Sequence, residues 1–200
     1  MSHAEFARRA VTLPDVLSGY DRVVATVTGL FKYATQERFD DPTPCPEWDV
    51  RTLLCHLAFV NERYAAVAES DPNPPFHQSF YLDPILAFAD WSARARAAFA
   101  VPGFGDTIVA TPIGDQLGVL VVQHVVNELT AHSWDLARAL HRPTDFLAGP
   151  AEQVLDSWRE VYRQLGDPPR SAATIDVVKP VPDGASALDR LAGFLGRDVR

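Results

Sequence analysis

Lysine is nearly missing from this 200-residue chain: only Lys32 and Lys179 occur, and arginine supplies the remaining positive charge. Eighteen basic residues face 26 acidic ones, for a net charge of −8. That balance argues against non-specific nucleic-acid binding and against attraction to anionic membranes. Cysteine is scarce as well. Cys45 and Cys55 are too few for a disulfide scaffold, so reduced thiols and a cytoplasmic setting are expected. No long apolar run exists; the longest, around 117–126, is broken by Gln123 and His124. It falls short of the roughly 18 residues that a membrane span needs. The N-terminal MSHAEFARRAVTL is amphipathic and lacks the apolar core of a secretion signal. There is no G-x-S-x-G, no phosphate-cradling glycine loop and no G-x-G-x-x-G after a strand. A Cys55–His56 dyad is disfavoured, because adjacent residues on a helix do not face each other.

What the chain does have is helical periodicity. Pro14 and Asp15 open a first helix, with Val16, Tyr20, Val23, Val27 and Leu30 at spacings of three and four. The three prolines of FDDPTPCPEW (39–48) forbid regular helix there. Asp49 then caps a second helix to about Ala68, whose apolar stripe of Leu53, Leu57, Val60 and Tyr64 includes His56. A loop over 70–84 leads to a third helix over 84–100, with Leu86, Asp90/Trp91 and Ala98/Phe99 marking its face. A connection at 101–115 holds a short extended piece near 107–110. The fourth helix spans 116–140 and stops near His141, before Arg142–Pro143. A fifth runs over 150–165, carrying Val154, Leu155, Trp158, Val161, Tyr162 and Leu165. Residues 165–186 read as linker plus a strand-like TIDVV, and a last helix covers 186–196. The expectation is an all-α (mostly α) protein. An up-down four-helix bundle fills 1–167, and a short extension over 168–200 (linker, short strand, helix) packs on it.

The fourth helix carries ionisable groups where apolar ones belong: His124, Glu128, His132 and Asp135 interrupt QLGVLVVQHVVNELTAHSWDLARAL. Glu128 and His132 stack on one face, with Cβ atoms about 5–6 Å apart. With His56 they make a His₂Glu set, which suits a catalytic zinc with an open fourth position. Non-haem Fe(II) sites use similar donors, so ligand type alone does not choose the metal. Chance alone supplies roughly 0.6–0.7 acid-x-x-x-His matches in a chain of this composition. Plainer readings stand beside the metal: a hydrogen-bonded core histidine at 56, and an i,i+4 pair at 128 and 132. His124 reads as an extra ligand or a structural group. Asp135 either fixes a ring tautomer or pairs with Arg138. Cys55 reads as a small buried hydrophobe, Cys45 has no assigned role, and Trp48, Trp91, Trp134 and Trp158 read as packing residues.

Three segments carry a resemblance. TPCPEWDVRTLLCHL (43–57) resembles the T-P-C-P-x-W-x-V-R-x-L-L-x-H-L opening of the mycothiol-dependent maleylpyruvate isomerase N-terminal family. NELTAHSWDLARAL (127–140) is similar to its E-x-x-x-H-x-W-D-L-A-x-A helix. VPDGASALDRLAGFLGRD (181–198) is similar to the tail of a short actinobacterial branch. The resemblance implies a DinB/YfiT-like metal-binding bundle with His56, Glu128 and His132 as ligands. It implies a divalent metal, Zn²⁺ first and Ni²⁺ or Fe²⁺ as options, and mycothiol as cosubstrate of a transferase or isomerase. Other readings are a non-catalytic metal- or ligand-binding bundle and a hydrolase using water in the open position. A small-molecule substrate and a low-molecular-weight thiol are the implied partners, and a homodimer is left open. The isomerase itself has a further C-terminal domain, for which residues 168–200 leave no room. Arg51, Arg63 and Arg138 lie near the ligand helices, but helical spacing does not aim them at a pocket.

Overall fold

The computed structural model describes residues 12–71, 74–75, 77–78, 80–111, 114–165 and 175–199, and nothing of the side chains at 164 and 165. The N-terminal segment, the 166–174 linker, Thr174 of the strand-like TIDVV and the side chain of Leu165 lie outside them. The chain is mostly helical. Helix α1 is Leu13–Phe31, started by Thr12, whose side chain accepts from the Asp15 amide, with Pro14 in the first turn. Asp49 caps α2 (Val50–Ala68) and Asp83 caps α3 (Pro84–Phe99) in the same way.

The extended piece expected near 107–110 is half of a small hairpin. Strand β1 (Ile108–Thr111) pairs antiparallel with β2 (Gly114–Leu117). The hairpin takes the residues expected to begin the fourth helix, so α4 is Gly118–Ala139. Helix α5 (Ala148–Leu165) starts two residues earlier than expected, because Gly149 and Pro150 fit the first turn, where no amide donor is needed. Helix α6 is Ala187–Phe194, capped by Ser186. The strand reading of TIDVV is corrected: residues 175–178 form no strand. Instead the Asp176 amide donates to the Leu195 carbonyl (3.2 Å) and the Lys179 amide to that of Gly193 (2.8 Å). The segment is thereby bound to the end of α6 rather than to a sheet.

Helices α1, α2, α3 and α4 close a ring, α1 against α4, α4 against α2, α2 against α3 and α3 against α1. Val23, Val27, Leu53, Leu57, Phe88, Phe99, Val122, Val125 and Leu129 fill it with no solvent exposure. Full burial of each such side chain contributes about 1.5–3 kcal/mol. The face of α3 differs from the sequence reading: Phe88, Ser92, Ala95, Ala98 and Phe99 point inward, whereas Leu86 is exposed. The Ser92 carbonyl and Asn61 accept the buried Tyr20 hydroxyl (3.0 and 2.5 Å), and the Ser92 hydroxyl donates to the Ala89 carbonyl (3.1 Å).

Helix α4 has three different faces. Val121, Val122, Val125 and Leu129 enter the ring. Trp134 joins Val154 and Leu155 of α5 and Leu188 and Leu191 of α6 in a second apolar cluster. The third face, with His124, Asn127, Glu128, Ala131 and His132, is only half-buried.

Candidate metal centre

Two helices and one loop build the site. Helix α4 presents Glu128 and His132 one turn apart, and α2 crosses it to bring His56 opposite. The proline-rich loop before α2 is fixed by Arg38. Its guanidinium donates to Asp41 (2.8 Å) and to the carbonyls of Ala139 and Leu140 at the end of α4 (2.9 and 3.0 Å). Those carbonyls have no partner within the helix, so the loop satisfies them. Thr43 Oγ1 donates to the Trp48 carbonyl (2.8 Å), which turns the loop back on itself. Cys45 and Trp48 are thereby delivered to the α4 face. The Trp48 ring lies 4.7 Å from that of His56 and 5.6 Å from that of His132.

One donor atom from each of His56, Glu128 and His132 lies within 4.8 Å of the others. Glu128 Oε2 is 3.7 Å from His56 Nε2 and 3.8 Å from His132 Nε2. These separations are too long for hydrogen bonds. Ligands at about 2.0–2.1 Å around a tetrahedral ion would sit roughly 3.3 Å apart, a few tenths of an ångström closer than here. His56 Nε2 is buried and has no hydrogen-bond partner among the described residues. A buried imidazole nitrogen facing a carboxylate across such a gap is an arrangement that suits a bound cation. The donor set of two nitrogens and one oxygen fits Zn²⁺ and its neighbours in the first transition row. Burial holds the His56 ring below its usual pKa and outweighs the opposing pull of Glu128. Burial pushes the Glu128 carboxyl up, but the imidazoles of His56, His132 and His124 overcome it and bring it down to about 2.

Behind His132 stands a second cluster. Its Nδ1 is 2.9 Å from Asp135 Oδ2. An ionised carboxylate can only accept, so Nδ1 carries a proton and Nε2 is the ring nitrogen turned toward Glu128. Asp135 is wholly buried and accepts further from Cys45 Sγ (3.2 Å) and from Arg197 Nε and Nη2 (both 3.1 Å). Burial opposes its ionisation, but His132 and Arg197 hold it well below the usual carboxylate range. Burial, reinforced by the Asp135 charge, pushes the Cys45 thiol up to about 12, so it is a hydrogen-bond donor and not a thiolate. Cys45, His132 and Asp135 also satisfy the spacing for a metal. That position is already served by a cation, the Arg197 guanidinium. Of these two groups, found among the described residues, the His56–Glu128–His132 one is open to an ion.

The open side faces a cleft of about 750 Å³, walled by Trp48, Asn127, Trp158, Ile175, Asp176 and Arg197 among others. That is a size suited to a small organic ligand. Expected and observed positions differ at several residues. Asp135 does not pair with Arg138, whose guanidinium lies over the Trp134 ring. Trp48 and Trp158 line the cleft as well as packing. His124 lies against Tyr64 (5.0 Å between centroids, rings tilted by 55°) and joins neither donor group among the described residues. Cys55 is buried and free. Arg51 points away, donating to the carbonyls of Tyr81 and Leu82. Cys45 and Arg197 went unassigned from sequence. Their signals lie only in their places inside the T-P-C-P motif and the 181–198 tail segment.

Two uncharacterized proteins of Mycobacterium tuberculosis, from two strains, are each 29% identical over 187 residues, covering 93% of this chain and all of theirs. No solved structure matches. Residues 20–137, which include His56, Glu128 and His132, match the family model described as the mycothiol maleylpyruvate isomerase N-terminal domain. With more than half of its length covered by that model, the chain belongs to the mycothiol maleylpyruvate isomerase N-terminal domain family.

Proposed function

We propose that this protein is a zinc-dependent transferase or isomerase using a low-molecular-weight thiol of the mycothiol type, with His56, Glu128 and His132 holding the metal. The reading is carried by His56 Nε2, buried without a hydrogen-bond partner among the described residues and 3.7 Å from the carboxylate oxygen of Glu128. The family match supports the thiol. Zinc bound by these residues supplies a Lewis acid that makes a thiol acidic near neutral pH. The chain's own groups do the rest. Glu128 contributes one negative charge against the cation's two, and Asp135 keeps the His132 lone pair turned outward. Trp48 covers both imidazoles, and the cleft beside them accepts the thiol and an electrophilic substrate. The protein works in the cytoplasm, where such thiols stay reduced.

Metal analysis of the purified protein tests the site, with about one zinc per chain expected in the native form. His56→Ala and His132→Ala should fall well below that, and full retention in either would remove the assigned ligands. Incubation with mycothiol and an alkylating bimane then tests the chemistry. Zinc-dependent thiol consumption is expected. Tight metal without turnover would point to a binding protein, and ester cleavage needing only water would point to a hydrolase.

A further inference from the structure

We infer that Arg197 is a positioning residue of this centre, acting through Asp135 on His132, so that the segment after α6 is a working part of the cation site. The inference rests on the reading of His56, Glu128 and His132 as metal ligands. Arg197 approaches Asp135 with two nitrogens, Nε on Oδ1 and Nη2 on Oδ2, each at 3.1 Å. Such a fork fixes the carboxylate plane, which a single hydrogen bond would leave free to turn. Oδ2 is then held 2.9 Å from His132 Nδ1, with the Cys45 thiol donating to the same oxygen from 3.2 Å. Carboxylates that orient ligating imidazoles govern metal affinity nearly as strongly as the ligands do. Here that carboxylate is itself oriented by a residue 62 positions away.

The backbone around Arg197 is fixed for this task. Nη1 donates to the Leu195 carbonyl (3.2 Å), and Gly196 has a φ of +92° that disfavours other residues. A Cβ at 196 would lie 2.5 Å from Asp176 Cβ, so the turn and the 175–179 segment interlock. Leu188 and Leu191 of α6, both wholly buried against Trp134 and α5, anchor the whole segment to α4. The side chain is 13% exposed, so the fork is largely shielded from competing water.

Zinc affinity, measured by competition with a chromogenic chelator at neutral pH, tests this in the full-length chain. R197M should bind zinc about ten-fold more weakly than native protein, and D135N at least as weakly. Adding R197M to D135N should change affinity by less than about two-fold, because the intermediary is already lost. A purely structural Arg197 would lower affinity equally in both backgrounds, and that result overturns the inference. Should R197M fail to fold, R197K keeps the charge but cannot span both oxygens. It should lose about three-fold in affinity, and native-like binding by it overturns the inference. Native-like binding by R197M overturns it alone; no zinc binding by native protein overturns the metal reading and the inference together.

Discussion

Replacing Asp135 by alanine removes the acceptor for three buried donors at once: His132 Nδ1, Cys45 Sγ and the Arg197 fork. Asp135 is fully buried and the Arg197 side chain is 13% exposed, so solvent cannot replace the lost partner. Breaking a buried ion pair from one side costs about 3–5 kcal/mol, mostly because the surviving charge stays desolvated. For a chain of this length each kcal/mol moves the melting temperature by roughly 2–4 °C, so Asp135→Ala should melt about 6–20 °C lower. The measurement is thermal unfolding followed by circular dichroism at pH 7, with a chelator present so that metal affinity does not contribute. The double change Asp135→Leu with Arg197→Met removes both charges and should recover most of the loss, since apolar replacement of a whole buried pair is often neutral. A drop below about 2 °C in Asp135→Ala, or a double variant as unstable as the single one, would refute this account of the buried pair.

Three further outcomes follow from other parts of the molecule. Zinc at about one hundred times its dissociation constant should stabilise the fold by about 2.7 kcal/mol, or roughly 5–11 °C, and His132→Ala should show no such rise. An unmoved melting curve in a sample shown to carry zinc would sink that coupling. Tyr20→Phe should cost about 1–3 kcal/mol in urea titration, because the Asn61 and Ser92 oxygens lose their buried donor. A loss under about 0.3 kcal/mol would mean that another donor reaches them. The third outcome concerns acid. Glu128 is held at about 2 and Asp135 lower still, so near pH 3–4 the unfolded chain binds protons that the folded one does not. Their stabilisation is therefore present above the ordinary carboxylate range and is lost as pH falls through the folded values. Glu128→Gln in chelator should flatten the stability–pH slope between about pH 2 and 4.5 by up to about 1.4 kcal/mol per unit, and an unchanged slope would count against the depressed carboxyl.

Much of the fold was legible because helix signals are local. Asp49 and Pro84 sit where cap and first-turn chemistry demands them, and α2 and α3 begin there. Periodicity located the polar face of α4, since residues one turn apart must share a side. It misjudged α3, where Leu86 looked inward and is 58% exposed. Alanine-rich helices offer few large residues to mark a face, and the buried Ser92 was invisible because its carbonyl, not its hydroxyl, meets Tyr20. Of the hairpin at 108–117 the first strand was legible as an extended piece, whereas the second escaped because its Gln116 is half-buried and its Leu117 exposed, the reverse of apolar-inward alternation.

Of the deeper part of the site, only Asp135 was legible, as the partner that fixes the His132 ring. Cys45 reaches Asp135 only because Arg38 pins its loop to the last carbonyls of α4, and Arg197 arrives 62 residues later through a glycine turn. Neither contact leaves a repeat in the sequence, for both join a loop to a helix across the fold. Yet these contacts decide which of two overlapping donor clusters can take an ion. His132 belongs to both, with Nδ1 toward Asp135 and Nε2 toward Glu128. A guanidinium already neutralises the first cluster, while the second retains a carboxylate and an unpartnered imidazole. Placing arginine on one side of a shared histidine thus directs any metal to the other side, the side that opens on the cleft.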